Sequence, residues 1–108
     1  EPVFEKNVNS AFIGTNLEAS LKAQNITDVV IAGLTIEHCI STSVRMASNL
    51  GFHVILVSDA TAAFDKIGYD GNPYSAEVIF HSELANLKDE FATIMDTDTL
   101  LGKLELNN

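Results

Sequence analysis

The stretch "VVIAGLTIEHCIST", residues 29–42, holds the only cysteine of the chain, Cys39, six residues after the glycine that ends an apolar run. That run, "DVVIAG" at 28–33, has no polar alternation, which is the pattern of a parallel strand buried on both faces and predicts a mid-sheet position. Ile40, Val44, Ala47 and Gly51 then recur at three- and four-residue spacings, so a helix is expected from about Glu37 to Leu50, stopped at Gly51. In an open α/β sheet, ligands gather beyond the carboxyl ends of the strands, where helix N-termini point unpaired N–H groups into the crevice. Cys39 falls in that region.

Working outward, short apolar runs alternate with helical periodicities, as in successive β-α-β units around a parallel sheet. "PVFEK" reads as a short strand ending near Lys6. Thr15 and Glu18 form a T-x-x-E capping box that starts a helix with Leu17 and Leu21 on its inner face, and Asn25 is a left-handed cap after it. "HVILVS" is a second buried strand, which delivers Asp59 to its carboxyl end. "KIGYDGNPYS" is a loop, and its Ser75 caps a helix whose inner face carries Phe80, Leu84, Leu87 and Phe91. "FATIM" is a last short strand, and Asp96 or Thr97 caps a terminal helix. The order β-α-β-α-β-α-β-α leaves a buried-type strand near an edge, which leads us to expect a further strand and helix upstream of Glu1.

The composition narrows the function classes. A chain of 108 residues with 46% hydrophobic and 19% charged residues suits one globular domain with a real core. Six Lys and Arg against fifteen Asp and Glu give a net charge of −9, and no basic patch forms. Nucleic acid and anionic membrane surfaces are therefore not expected as partners. The apolar runs are far below the roughly 20 residues that cross a bilayer, and no signal peptide is visible. A single cysteine forms no internal disulfide, so a reducing cytoplasm is the default.

A thiol at a helix start feels the positive end of the helix dipole, which favours thiolate over thiol. Backbone N–H groups of the same turn can hold the oxyanion formed when that thiolate attacks a carbonyl. The alternative is a cysteine that packs under the sheet as a small hydrophobe, and the local physics leaves both open.

The run "VVIAGLTIEHCISTSVRMASNLGFHVILVSDATAAFD" resembles the core of the isochorismatase-like cysteine hydrolases, a superfamily that includes nicotinamidases and N-carbamoylsarcosine amidases. The resemblance extends through "EKNVNSAFIGTNLEASL" upstream and "HSELANLKDEFATIMDTDTLL" downstream. It implies a three-layer α/β/α sandwich with a mostly parallel, Rossmann-like sheet. Residues 1–108 would be a single domain, about the C-terminal two-thirds of it.

It also implies an Asp, Lys, Cys triad. Cys39 matches the nucleophile by its distance from Gly33, and Lys6 matches the lysine that precedes a Ser-Ala-Phe segment, here Ser10, Ala11 and Phe12. A cis peptide is implied at Leu34–Thr35, with the N–H groups of Thr35 and Cys39 forming the oxyanion hole. The family aspartate lies on a first strand that these residues do not include. Ile36 departs from the family's usual Thr and would alter substrate choice. Phe12, Ile36 and His38 are possible pocket residues, although Phe12 reads first as a core residue.

The three histidines have no metal-binding spacing, so no metal and no organic cofactor are assigned; the ligands implied for nicotinamidases lie upstream. The expectation is a hydrolase that cleaves a C–N bond of a small amide or carbamoyl substrate through a thioester, acting as a homo-oligomer. Its rival is a non-catalytic member that binds a metabolite or serves as a scaffold. A receiver-type α/β domain would need clustered acids at the first strand end, and none is present.

Overall fold

The structure is a computed structural model that describes residues 2–106. In chain order it contains α1 (Leu17–Ala23), β1 (Asp28–Leu34), a π-type turn (Ile36–Ile40), α2 (Ser41–Asn49), β2 (His53–Ala62), β3 (Lys66–Ile67), β4 (Pro73–Tyr74), α3 (Ala76–Leu87), β5 (Thr93–Met95) and α4 (Thr97–Leu106). Three parallel strands form the main sheet in the order β1-β2-β5, and β3 and β4 pair separately as an antiparallel hairpin. This is an α/β domain built on a parallel sheet. Among the described residues, no helix is long and apolar enough to cross a membrane.

The strand buried on both faces is β2, not β1. Val54, Leu56 and Val57 of β2 lie at 4% exposure or less, because β1 and β5 flank it and α2, α3 and α4 pack against it. Among the described residues β1 lies at the edge of the sheet, with residues alternating between half-buried and exposed and Val30 50% exposed. The expected central position of "DVVIAG" therefore fails among the described residues. An uninterrupted β-branched run fixes the strand but not which neighbours cover it.

Residues 2–6, read as a strand, adopt no regular structure. Extended chain becomes a strand only beside a ladder partner, and the described residues provide none there. The Thr15 capping box also does not form. Thr15 Oγ1 donates to Ala11 O at 2.6 Å and accepts from Leu17 N, and the helix begins one residue later than the box requires, after Asn16. A tight turn over Ala11 thus outcompetes the cap.

Other boundaries follow the sequence. Asn25 has φ 58° after α1, and Ser75 Oγ accepts from Val78 N at the start of α3. α3 ends at Leu87, and a turn through Asp89, φ 68°, brings Phe91 back onto the core beside Phe80 and Leu84. Asp59 Oδ1 accepts from both Thr97 N (2.9 Å) and Thr97 Oγ1 (2.7 Å), so β2 anchors the first turn of α4. Asp59 is a brace.

The core gathers Ile36, Ile40, Val44 and Ala47 against Val54, Leu56 and Leu87. Ile36 and Ile40 are both buried, which holds the turn between β1 and α2 inward at two points four residues apart. Between them His38 has φ −122° and ψ −105°, outside helical space, and Ile40 N donates to Thr35 O five residues back. The predicted helix from Glu37 thus resolves into a π-type turn and then α2, an irregularity common at functional positions.

Candidate active site

Gly33, one residue before the end of β1, is under two constraints. Its φ is 135°, which side chains rarely adopt, and a Cβ there would lie 3.2 Å from Ile40 Cδ1. The glycine lets the turn fold back closely on the strand. Beyond it, the Leu34–Thr35 peptide is cis, as the resemblance implied.

Cys39 lies in the π-type turn, half-buried. Lys6, thirty-three positions earlier, donates from Nζ to Cys39 Sγ at 3.2 Å and to Val8 O at 2.9 Å. The local sequence explains how an irregular segment carries Lys6 there. Ala11 N donates to Ser43 Oγ at 3.0 Å, and Ser43 lies in α2 four residues after Cys39. Ser10, only 3% exposed, accepts from Phe12 N, and the Phe12 ring stacks on Phe52 with centroids 6.1 Å apart. Ser10, Ala11 and Phe12 thus dock the N-terminal segment on α2 and leave Lys6 over the thiol.

The expected pocket residues separate. Ile36 is 0% exposed, buried in the core, so it reaches no ligand here and its effect is on packing. Phe12 is a core residue, 8% exposed, that also walls an apolar cavity of about 230 Å3 between α1 and β1. His38 is exposed, and its Nε2 lies 3.1 Å from Lys66 Nζ. An ammonium only donates, so the imidazole nitrogen accepts.

Glu37 was not anticipated. Its Oε2 accepts from Phe64 N at 3.2 Å, while Oε1 is buried with no hydrogen-bond partner. Thr35 Oγ1 and Thr61 Oγ1 are likewise buried and unpaired. Burial opposes ionisation of Glu37, but the nearby Thr35 hydroxyl, the backbone N–H groups of Glu37 and Phe64, and the Lys66 charge outweigh it. The carboxyl is held below its ordinary value. Thr35 supports it as a dipole without reaching hydrogen-bond geometry.

Among the described residues, no carboxylate is hydrogen-bonded to Cys39 or paired with Lys6. Among the described residues, no group of three His, Cys, Asp or Glu side chains gathers to hold a metal ion. A further cavity, about 520 Å3, lies under the β3–β4 hairpin, where Lys66, Ile67, Tyr69 and Tyr74 face Val78 of α3.

The described residues thus form a parallel α/β sheet with a lysine set against a cysteine just beyond the end of a strand, a Rossmann-like arrangement. The chain belongs to the isochorismatase family: the model of the isochorismatase domain matches residues 1–99. The isochorismatase family protein YrdC of Bacillus subtilis is 54% identical over 102 residues, covering 94% of this chain and 54% of that one. Nicotinamidase 3 of Arabidopsis thaliana is 32% identical over 104 residues, covering 96% of this chain and 47% of that one. A solved isochorismatase-family structure from Chromobacterium violaceum has a TM-score of 0.95 at 40% identity, covering 97% of this chain and 54% of that one. The chain spans about half the length of the curated relatives it matches.

Proposed function

We propose that the protein is a cysteine hydrolase that cleaves a C–N bond of a small amide or carbamoyl compound through a thioester on Cys39. The observation that carries this reading is the 3.2 Å approach of Lys6 Nζ to Cys39 Sγ. A cation donating to sulfur stabilises the thiolate, which is the attacking form of cysteine.

In this mechanism the thiolate forms an S–C bond to the carbonyl carbon, and the carbonyl π pair moves onto oxygen. The N–H groups of Thr35 and Cys39 hold that oxyanion. Collapse reforms the C=O and breaks the C–N bond, and the departing nitrogen takes the proton that the thiol gave up. Water then cleaves the thioester and restores the thiol. The reaction needs a proton carrier, and among the described residues no carboxylate contacts Cys39 or Lys6 in hydrogen-bond geometry. The resemblance to the family implies an aspartate on its first strand for that role. Similarity to Nicotinamidase 3 supports an amide as the substrate class.

Brief treatment of the full-length protein with iodoacetamide near neutral pH, read by intact mass and peptide mapping, tests the state of the thiol. Cys39 is expected to take up one carbamidomethyl group about tenfold faster than free cysteine does. A rate below that of free cysteine would rule out an activated nucleophile.

A further inference from the structure

The segment that follows β2 is tied at two points to the turn that carries Cys39. Phe64 N donates to Glu37 Oε2 at 3.2 Å, and Lys66 Nζ meets His38 Nε2 at 3.1 Å. Phe64 itself contributes no packing that accounts for this, because its side chain is 66% exposed. The bond therefore serves the backbone.

Helical hydrogen bonding does not hold the turn by itself. His38 lies outside helical space, and Thr35 O accepts from both His38 N (3.1 Å) and Ile40 N (3.2 Å). Glu37 sits in the sequence between Thr35 and Cys39, the two residues whose N–H groups receive the oxyanion in the proposed mechanism. A carboxylate with one buried, unpartnered oxygen is costly unless its other contacts are worth that cost.

The geometry points to Glu37 as a positioning residue: by accepting from Phe64 N–H, its carboxylate fixes the Thr35–Cys39 turn against the end of β2, so that Cys39 stays aligned with Lys6. This rests on the reading of Cys39 as the nucleophile. Glu37 touches no reacting atom and acts through the turn.

Three variants of the full-length protein separate this role from charge and from general stability. Glu37→Ala removes both charge and acceptor, Glu37→Gln removes the charge but keeps an oxygen within reach of Phe64, and Glu37→Asp keeps the charge but is one carbon too short. Displacement of a catalytic group by about 1 Å costs on the order of 10²-fold, so Glu37→Ala and Glu37→Asp should both lower kcat by about that factor, with KM changed less than about threefold. Glu37→Gln should stay within about fivefold of the parent. The iodoacetamide rate at Cys39 should rank the variants in the same order, and amide exchange at Phe64 should be slow in the parent and Gln variants and fast in the other two.

Equal kcat in Gln and Ala variants, or an Asp variant that matches the parent, would overturn the role. Should the parent hydrolyse no amide, the hydrolase reading fails, and the iodoacetamide rates and Phe64 exchange still decide whether Glu37 positions the turn. A Glu37→Ala protein that does not fold leaves the decision to the Asp and Gln pair.

Discussion

Cys39→Ala in the full-length protein is expected to lower kcat for amide hydrolysis by about 10⁴-fold or more, with the fold intact. The size follows from what is removed. Without sulfur no thioester forms, and only whatever binding and oxyanion stabilisation remain can act on water. The fold should survive because Cys39 is half-buried and absent from the hydrophobic core that Ile36, Ile40 and Val44 build around it. Ammonia release from nicotinamide and from small ureido compounds, followed beside a thermal melt, checks both halves. Activity of the Ala variant within tenfold of the parent would place the chemistry elsewhere.

Lys6→Met carries the second-largest expected effect, a loss of about 10²-fold in kcat with little change in KM. Met keeps the length and apolar stem of lysine but loses the ammonium that donates to Cys39 Sγ at 3.2 Å. The other contact of that ammonium, to Val8 O, is a local one across two residues and holds the side chain over the thiol. Because Lys6 is exposed, its removal should leave the melting temperature nearly unchanged. The iodoacetamide rate at Cys39 should fall with kcat. A fall in kcat without slower alkylation would assign Lys6 to substrate binding instead of to the thiolate.

The sequence marks the turn that carries Cys39 only by its place after Gly33, and the structure supplies the reason. Gly33 needs a positive φ and a close approach to Ile40, and that requirement sets the turn after β1 and hence the place of Cys39. Lys6 was legible only through the resemblance to the family, since its segment has no periodicity and is docked by a hydrogen bond from Ala11 N to Ser43 Oγ. Glu37 was missed because an acid near a helix start reads as a partner of the dipole, and its bond to Phe64 joins residues twenty-seven positions apart.

The fold shows the same division. The cap at Ser75 and the left-handed Asn25 are local, and both appear as read. Which strand is central is a matter of neighbours, and the β-branched run "DVVIAG" lies at an edge of the described sheet while "HVILVS" takes the centre. Ile36 illustrates why a departure from a family pattern is hard to interpret from sequence. Its replacement of the usual Thr falls at a fully buried position, so the change is one of packing and not of pocket chemistry.

Acid quenching of the full-length protein during turnover, followed by intact-mass and peptide analysis, tests the central claim most directly. The account predicts an added mass equal to the acyl part of the substrate, located on the peptide that contains Cys39 and released by hydroxylamine, as a thioester is. Turnover with no such adduct under conditions where acylation outpaces hydrolysis, or an adduct on another residue, would contradict it.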